Sequence, residues 1–531
     1  MSEAVRSYTN TSGRVRRRRR TPSGCLWVKA LLIIGVPLVV IYVLWTTRDT
    51  WPLARFVSNE HRYLVAFSNV VEERGRIAGS RVWQAIPEGT SWNELPAALG
   101  QEAPLPEWVL RNLVSDECYC TGNDLASPEN VLVATKMTHV GCLLERLHFL
   151  FPGVESDAAG GLDLRWLPEP DLYYAVRGRA FLLSPSRDVL IAALTMREDD
   201  ALTADNLDAL LAPRGGEQVR GRLTFALDEG AGAVLRGVSF ALRVDQEEAE
   251  LRWRAVLQPP WAERLEPLLR DAKPSMLALP LDGCLTVSLD LCKPAKEVWA
   301  GIGEASGLPF FSEEQYAEWT TIPEDGNPGI PWMLTTMLDQ AGSRVRLSWY
   351  GIDINEMFPL PEVVGTLDIA PAVFDAFAQD MPEPPAGALP WGSLPRHDPD
   401  TGCVYVPMIG GPSLEPTVAV YGEALLLSSS RTVANRLLEA SPVEASVDGR
   451  PATDGNLLVT IRPHACVASV VDVGRLLCEM DCLRGYTEES FDAASAEWLA
   501  AAARLRDVRI LASCEGPELT GTLSVACSPE G

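Results

Sequence analysis

Two serine–arginine corners combine the residue types that could perform chemistry in this chain. They are Ser184, Ser186 and Arg187, and Ser428, Ser430 and Arg431. Each corner precedes a stretch predicted to be a helix, and hydroxyls with a guanidinium at a helix N-terminus can bind an anion. The serines are equally suited to capping that helix, and the arginines need only cover its flank. Capping is therefore the favoured interpretation, with anion binding as the functional alternative.

Two further groups contain residue types that bind metal ions. Residues 398–402 (Asp-Pro-Asp-Thr-Gly) look like the start of a calcium loop, but an EF-hand needs an oxygen ligand where the final glycine stands and a glutamate further on. His464, Cys466, Cys478 and Cys482 lack the two close pairs usual in zinc sites. We therefore predict a tight turn at the first group, oxidised or buried cysteines at the second, and no metal or cofactor.

No known catalytic pattern occurs in the sequence. The serine-hydrolase elbow G-x-S-x-G, the metalloprotease motif H-E-x-x-H and the phosphate-binding Walker loop are absent. The five histidines are His61, His139, His148, His397 and His464. None belongs to a catalytic motif, so no catalytic residue is predicted. A hydrolase whose residues come together from distant segments remains an alternative.

An apolar segment near the N-terminus predicts a membrane anchor. Leu26 to Trp45 is long enough to cross the hydrocarbon core as a helix. Arg14 and residues 16–20, which are all arginine, lie just upstream and predict a cytoplasmic N-terminus by the positive-inside rule. A cleaved signal peptide would have a shorter apolar core and small residues at its cleavage site. The sequence thus predicts a cytoplasmic basic tail (1–24), a transmembrane helix (25–47) and an extracytoplasmic remainder.

Charge and cysteine content fit that location. Residues 30–531 hold 70 acidic and 38 basic residues, and such an acidic region is not expected to bind nucleic acid, which requires phosphate neutralisation. Eleven of the twelve cysteines follow the predicted anchor, in a compartment where disulfides can form. The Cys118-Tyr-Cys120 cluster is predicted to contribute to disulfides. The sequence does not determine their pairing.

The sequence contains an internal repeat around the two corners. Ala175 to Val189 matches Ala419 to Val433 without a gap, and most positions are identical. Both copies predict a strand, a turn at Gly178 or Gly422, a second strand, and a helix opened by serine. Because a duplicated scaffold keeps its turns, the repetition favours the structural interpretation of the corners.

Other elements keep the same order in both copies. A first strand (63–67 or 284–288) begins each copy, a later strand (223–227 or 457–461) follows the matched unit, and a hairpin of alternating apolar and polar residues ends each. We predict an α+β fold of two related modules, 60–258 and 282–527, made mainly of antiparallel sheet with packed helices. Residues 259–281 form the connecting segment.

The matched unit, A-V-x-G-x-A-x-L-L-S-x-S-R-x-V in both versions, resembles a bacterial family of uncharacterised membrane-anchored extracytoplasmic proteins with repeated α+β domains. The resemblance covers most of 60–527. It implies a location in the bacterial envelope and a duplicated architecture. No activity and no functional residue carries over from it.

Three functional hypotheses follow. The leading one is a non-enzymatic protein of the bacterial inner membrane whose periplasmic modules bind or scaffold another envelope protein. The second is a carrier or sensor of an apolar ligand, which requires a continuous apolar cavity of several hundred Å³. The third is the hydrolase with dispersed residues, which requires a histidine in a cleft beside a serine, cysteine or carboxylate.

Overall fold

The computed structural model describes most of the chain beyond residue 50. The described ranges are 51–85, 107–114, 117–124, 127–147, 154–159, 161–168, 171–211, 216–225, 234–269, 283–291, 293–294, 296–297, 300, 313–320, 339–354, 359–379, 395–422, 424–439 and 456–528, together with 38, 41–45, 47 and 48. Only a few residues of the predicted transmembrane segment 25–47, and none of the predicted basic tail 1–24, lie within this part. No described helix has the length and apolar character needed to cross a bilayer.

The described residues form one antiparallel sheet of twenty strands. The strands are β1 (Tyr63–Ser68), β2 (Glu117–Gly122), β3 (Leu132–Lys136), β4 (Glu155–Ala159), β5 (Leu162–Leu167), β6 (Leu172–Arg177), β7 (Ala180–Ser184), β8 (Val219–Thr224), β9 (Leu235–Val244), β10 (Glu248–Leu257), β11 (Leu285–Asp290), β12 (Arg344–Asp353), β13 (Leu360–Leu367), β14 (Arg396–Asp398), β15 (Cys403–Tyr405), β16 (Thr417–Tyr421), β17 (Ala424–Ser428), β18 (Leu457–Ile461), β19 (Leu505–Glu515) and β20 (Glu518–Cys527).

The spatial order of the strands is symmetric about the centre of the sheet, a pattern termed the mirror order. From one edge to the other, the hydrogen-bonded order is 4-5-6-7-3-2-1-8-9-10-20-19-18-11-12-13-17-16-15-14. Each strand of the first half has a counterpart ten strands later in the chain at the same distance from the centre. The two halves meet through β10 and β20, the last strand of each.

Twelve α-helices occur in the described residues. They are α1 (Val70–Ala78), α2 (Arg81–Gln84), α3 (Glu107–Leu113), α4 (His139–Arg146), α5 (Arg187–Thr195), α6 (Ala204–Leu210), α7 (Pro259–Leu269), α8 (Glu313–Thr320), α9 (Pro371–Gln379), α10 (Arg431–Glu439), α11 (Pro463–Glu479) and α12 (Glu488–Arg504). Helices packed on a large antiparallel sheet confirm the predicted α+β class.

The repeated strand–turn–strand–helix unit forms in both places. β6 and β7 pair through a turn with Gly178 at φ 62°, and β16 and β17 pair through a turn with Gly422 at φ 61°. Glycine adopts this left-handed backbone without the steric cost that a Cβ would add. The two terminal hairpins also form as predicted. The strand predicted at 223–227 is instead β8, which begins four residues earlier.

Helices pack on both faces of the sheet. In the second half, Val418 and Leu425 face α9 in one apolar cluster, whereas Leu426 faces α10 in another. Adjacent strand residues point to opposite faces, so these two helices lie on opposite sides. In the first half, Leu182 packs with Leu190 of α5 in the largest cluster.

A row of aromatic rings and glycines crosses the centre of the sheet. Phe240 of β9 lies directly opposite Trp253 of β10, Gly221 of β8 lies opposite Phe240, and Gly521 of β20 lies opposite Trp253. A Cβ on either glycine would collide with the neighbouring ring. The Phe240 ring therefore packs over Gly221, and the Trp253 ring packs over Gly521. Because Gly521 belongs to β20, Trp253 connects the two halves of the sheet.

We predict that Gly521→Ala destabilises the protein. The added Cβ would lie 2.5 Å from the Leu511 carbonyl oxygen and closer still to the Trp253 ring. Overpacking of this kind costs about 1–3 kcal/mol. Urea unfolding monitored by tryptophan fluorescence measures the effect.

Gly75→Ala is the matched control. Gly75 lies within α1 with no neighbouring atom within 4 Å of an added Cβ, so alanine should stabilise that helix by about 0.5–1 kcal/mol. Equal effects of the two substitutions would contradict the proposed packing of Trp253 on Gly521.

Candidate functional site

The second serine–arginine corner is a helix cap. The Val433 amide donates to Ser430 Oγ at 3.2 Å, which satisfies an amide of the first turn of α10. Ser428 is buried, and its hydroxyl donates to the Ser430 carbonyl at 2.7 Å. Ser430 therefore caps its helix as predicted, and the hydroxyl of Ser428 fixes the backbone that leads into it.

The first corner differs in detail. Ser186 occupies the N-cap position of α5 as predicted, but its side chain accepts no capping hydrogen bond. Ser184, fully buried, accepts a hydrogen bond from the Ser186 amide at 3.1 Å, as Ser428 does from the Ser430 amide at 3.3 Å. Arg187 begins the helix and is partly buried. Ser184, two residues earlier at the end of β7, thus fixes the backbone that leads into α5.

Arg431 is the centre of a charged cluster at the outer edge of the second half. Its guanidinium donates to Asp398 at the end of β14 and lies 3.7 Å from Glu415 Oε2. It also lies over the Tyr405 ring, 4.0 Å from the ring centroid. The side chains of Asp398 and Glu415 are only 11% and 10% exposed. In this structure, therefore, the positive charge offered by the corner is directed to two carboxylates of the protein itself.

The charges in this cluster stabilise one another. Burial favours a neutral Arg431, but the hydrogen bond to Asp398 and the fields of Tyr405, Asp398 and Glu415 outweigh it and raise the pKa of the guanidinium. Burial likewise tends to raise the pKa of Asp398, but the Asp400 amide, the Thr401 hydroxyl and Arg431 outweigh it and lower that pKa. Both groups therefore carry full charge at neutral pH.

The carboxylate of Asp398 belongs to the stretch that looks like a calcium loop. The Asp400 amide donates to Asp398 Oδ1 at 3.0 Å, and the Gly402 amide donates to the Asp398 carbonyl at 2.8 Å. Gly402 has φ 69°. The stretch is thus the tight turn between β14 and β15 that the sequence predicts. Sequence reasoning missed Glu415 and Tyr405 because neither lies in a motif with Arg431.

The cysteines and histidines of the second predicted group are dispersed. His464 and Cys466 lie in the first turn of α11, Cys478 in its last turn, and Cys482 beyond its end. No group of three or more potential metal ligands occurs among the described residues. The ten cysteines of the described ranges are all thiols, including Cys118 and Cys120 of β2.

The four described histidines have simple surroundings. His61 Nδ1 lies 2.9 Å from Thr121 Oγ1, and His139 Nδ1 lies 2.6 Å from Thr47 Oγ1. His397 and His464 are exposed. Within the described part, none is hydrogen-bonded to a serine, a cysteine or a carboxylate, which the hydrolase hypothesis requires.

Three clefts of the first half are bordered by charged side chains. One of about 360 Å³ is lined by Glu73, Glu217 and Arg220 among others. A second, of about 200 Å³, lies among charged residues of α4 and β5. A third, of about 120 Å³, includes Lys136 and Asp208. Their linings suit polar contacts, whereas an apolar ligand needs mainly hydrophobic walls.

We predict that Arg431→Met lowers the free energy of unfolding by about 3 kcal/mol, because it leaves two nearly buried carboxylates without their cation. Urea unfolding at pH 7 measures the change. Arg436→Met on the same helix is the control. Arg436 is 55% exposed and pairs with Glu362, and such a surface pair contributes at most about 1 kcal/mol. Similar losses in both variants would contradict the role of Arg431.

We predict that Asp398→Asn flattens the acid end of the stability profile. A carboxyl whose pKa is lower in the folded state adds stability above its unfolded pKa of about 4, and this is lost as pH falls through the folded value. The variant should be less stable than the parent at pH 7 and lose less on acidification below about pH 4. Urea midpoints across pH 2–7 test this, with Asp400→Asn in the same turn as the matched control. Parallel profiles for the parent and the Asp398 variant would contradict the prediction.

Comparison with known proteins leaves the chain without an assigned family. No protein-family model and no curated protein sequence matches it significantly. Among solved structures, crystal forms III and IV of TP0453 are similar to it at 9% and 10% identity, each with a TM-score of 0.24. Each match covers 43% of this chain and 90% or 88% of TP0453. Similarity at this level supports no conclusion about fold or function.

Proposed function

We propose that this chain is a non-enzymatic binding or scaffold protein of the bacterial envelope. A single helix within 25–47 holds it in the inner membrane, the tail 1–24 is cytoplasmic, and the folded part lies outside, where it binds another envelope protein. The observation that carries the binding role is an apolar, partly exposed surface across the centre of the sheet.

This central apolar surface is defined by alternate residues of β9, β10, β20 and β19. They are Val238, Phe240 and Leu242, then Leu251 and Trp253, then Leu519, Leu523 and Val525, then Val508 and Ile510. Every one of them is partly exposed, and Leu347 of β12, which points to the same face, is 49% exposed. The opposite face of the same strands carries Arg252, Arg254, Thr522 and Ser524. Contiguous exposed apolar patches mark interaction sites.

The membrane position is supported by the surroundings of residue 47. The Thr47 hydroxyl contacts His139 of α4 and is fully buried, so the end of the predicted anchor lies against this helix. On α4 and the adjacent α3, Val140 is 52% exposed, Leu143 40% and Trp108 56%. Apolar and tryptophan side chains beside a membrane helix suit the bilayer interface.

The proposal includes an origin of the folded part by duplication, with modules at 60–258 and 282–527 joined by 259–281. The mirror order of the strands and the repeated unit around Gly178 and Gly422 support it. Joining two copies through their last strands removes an exposed edge from each. It also places the central apolar surface on both copies, so one partner can contact both.

A carrier or sensor of an apolar ligand is the second candidate. The central apolar surface favours it too, because a lipid-like molecule would bury the same side chains. The clefts of the first half described above favour it less, since charged residues line them.

Photocrosslinking from adjacent positions distinguishes the candidates. Leu523 and Thr522 are neighbours on β20 that point to opposite faces. We expect a photoreactive residue at 523 to capture a discrete envelope protein in the native membrane and the same residue at 522 not to. Capture of lipid at 523 would favour the carrier, and equal capture from both positions would contradict a face-specific site.

Protease protection tests the anchor and its orientation. Protease added to intact spheroplasts should digest the chain beyond about residue 48 and leave a short N-terminal fragment protected by the membrane. The arginine block keeps that end in the cytoplasm. A chain that remains full-length after protease is added outside, or that is recovered in the soluble fraction, would contradict the proposed location. Neither result would contradict the binding proposal.

A further inference from the structure

Two cysteines from distant parts of the second half meet beside the sheet. Cys284 directly precedes β11, and Cys466 lies in the first turn of α11. Cys466 Sγ is 3.1 Å from the Cys284 carbonyl oxygen, which also accepts a hydrogen bond from the Arg462 amide at 2.8 Å. The Cys284 thiol donates a hydrogen bond to the Tyr350 carbonyl at 3.2 Å and lies close enough to Cys466 for each side chain to affect the pKa of the other. Backbone and side chain thus hold the two residues together.

Other thiols donate hydrogen bonds to backbone carbonyls. Cys142 points to the Gly178 carbonyl, Cys403 to the Thr401 carbonyl, and Cys482 to the Met480 carbonyl. Cys118 and Cys120 are two positions apart in one strand, about 6.6 Å between Cα atoms, near the upper limit for a disulfide. Cys284 and Cys466, by contrast, belong to different elements that the fold brings together.

We propose that Cys284 and Cys466 form a disulfide when the protein meets a low-molecular-weight disulfide such as oxidised glutathione. The Cys466 thiolate attacks the glutathione disulfide, forms a mixed disulfide and releases one glutathione thiolate. The Cys284 thiolate then attacks the Cys466 sulfur and releases the second. The two cysteines together lose two protons and two electrons, and one glutathione disulfide becomes two glutathione thiols.

The order of attack follows from accessibility. Cys284 is 4% exposed, whereas Cys466 is partly exposed and can meet the small disulfide first. Burial, with the neighbouring Cys284, raises the pKa of Cys466 to about 11. Because only the thiolate attacks, bridge formation should accelerate as pH rises from 7 to 9.

The bridge would fasten α11 to the sheet. Near the start of this helix, Ser469 Oγ accepts a hydrogen bond from the Ile352 amide of β12 at 2.8 Å. α12 packs back on α11, with the Phe491 ring against Gly474. A covalent bond between residues so far apart in the chain restricts the unfolded state strongly. Oxidation should therefore hold the α11–α12 pair against β11 and β12.

Peptide mapping of the purified full-length chain tests the proposal. The chain is incubated in detergent with a reduced and oxidised glutathione buffer, free thiols are alkylated, and the chain is digested without reduction. We expect a peptide pair joining Cys284 to Cys466 that disappears on reduction. Recovery of both as alkylated thiols, or of either joined to another cysteine, would overturn it. Because the oxidant is supplied, the result does not depend on the proposed location or partner.

Thermal unfolding provides an independent readout. Reduction should lower the unfolding midpoint of the oxidised parent, but it should not change that of Cys466→Ser. Cys482→Ser is the matched control, because this exposed cysteine just beyond the same helix lies outside the pair. It should keep the full response to reduction. An equal response in all three proteins would overturn the assignment.

Discussion

The ladder between β10 and β20 is the contact on which the whole sheet depends. Nine residue pairs join these strands, from Glu248–Ala526 to Val256–Glu518. Each strand is the last of its half and pairs on its other side with its own hairpin partner. Without this ladder, each half would expose a strand of ten residues with unpaired amide and carbonyl groups, which is a template for aggregation. The mirror order of the strands is centred on this ladder.

Packing between β10 and β20 explains a glycine that strand propensity does not favour. Glycine weakens a strand interior, yet Gly521 stands opposite Trp253 because no Cβ fits beneath the ring. The central apolar surface also leaves apolar side chains partly exposed. Their contact with water is unfavourable in free energy in an isolated molecule. A protein that meets a partner or an apolar ligand at this surface recovers that cost on binding. The proposed function rests on this balance.

The charged cluster around Arg431 shows how a motif with functional appearance can be structural. An arginine beside a helix N-terminus suits an anion from solution, but Asp398 and Glu415 already supply two carboxylates within the fold. Carboxylates this deeply placed require a cation. Both corners keep the hydrogen bond from the amide of the second serine to the hydroxyl of the first, whereas only Ser430 caps its helix with its side chain.

Sequence alone predicted the features that depend on local chemistry. The turns at Gly178 and Gly422 need a backbone conformation that only glycine adopts easily. The cap at Ser430 is predicted because the first amides of a helix lack partners within the helix. The terminal hairpins are predicted from the alternation of apolar and polar residues. The α+β class follows from these elements together. The anchor, the duplication and the functional hypotheses remain predictions.

Only the tertiary structure decided which distant residues meet. The partners of Arg431, the contact between Cys284 and Cys466, and the ladder that unites the halves each join segments far apart in the chain. No periodicity or motif encodes such pairs, because they depend on the order and register in which strands assemble. That order is set by the sum of many burial and hydrogen-bond terms over the whole sheet.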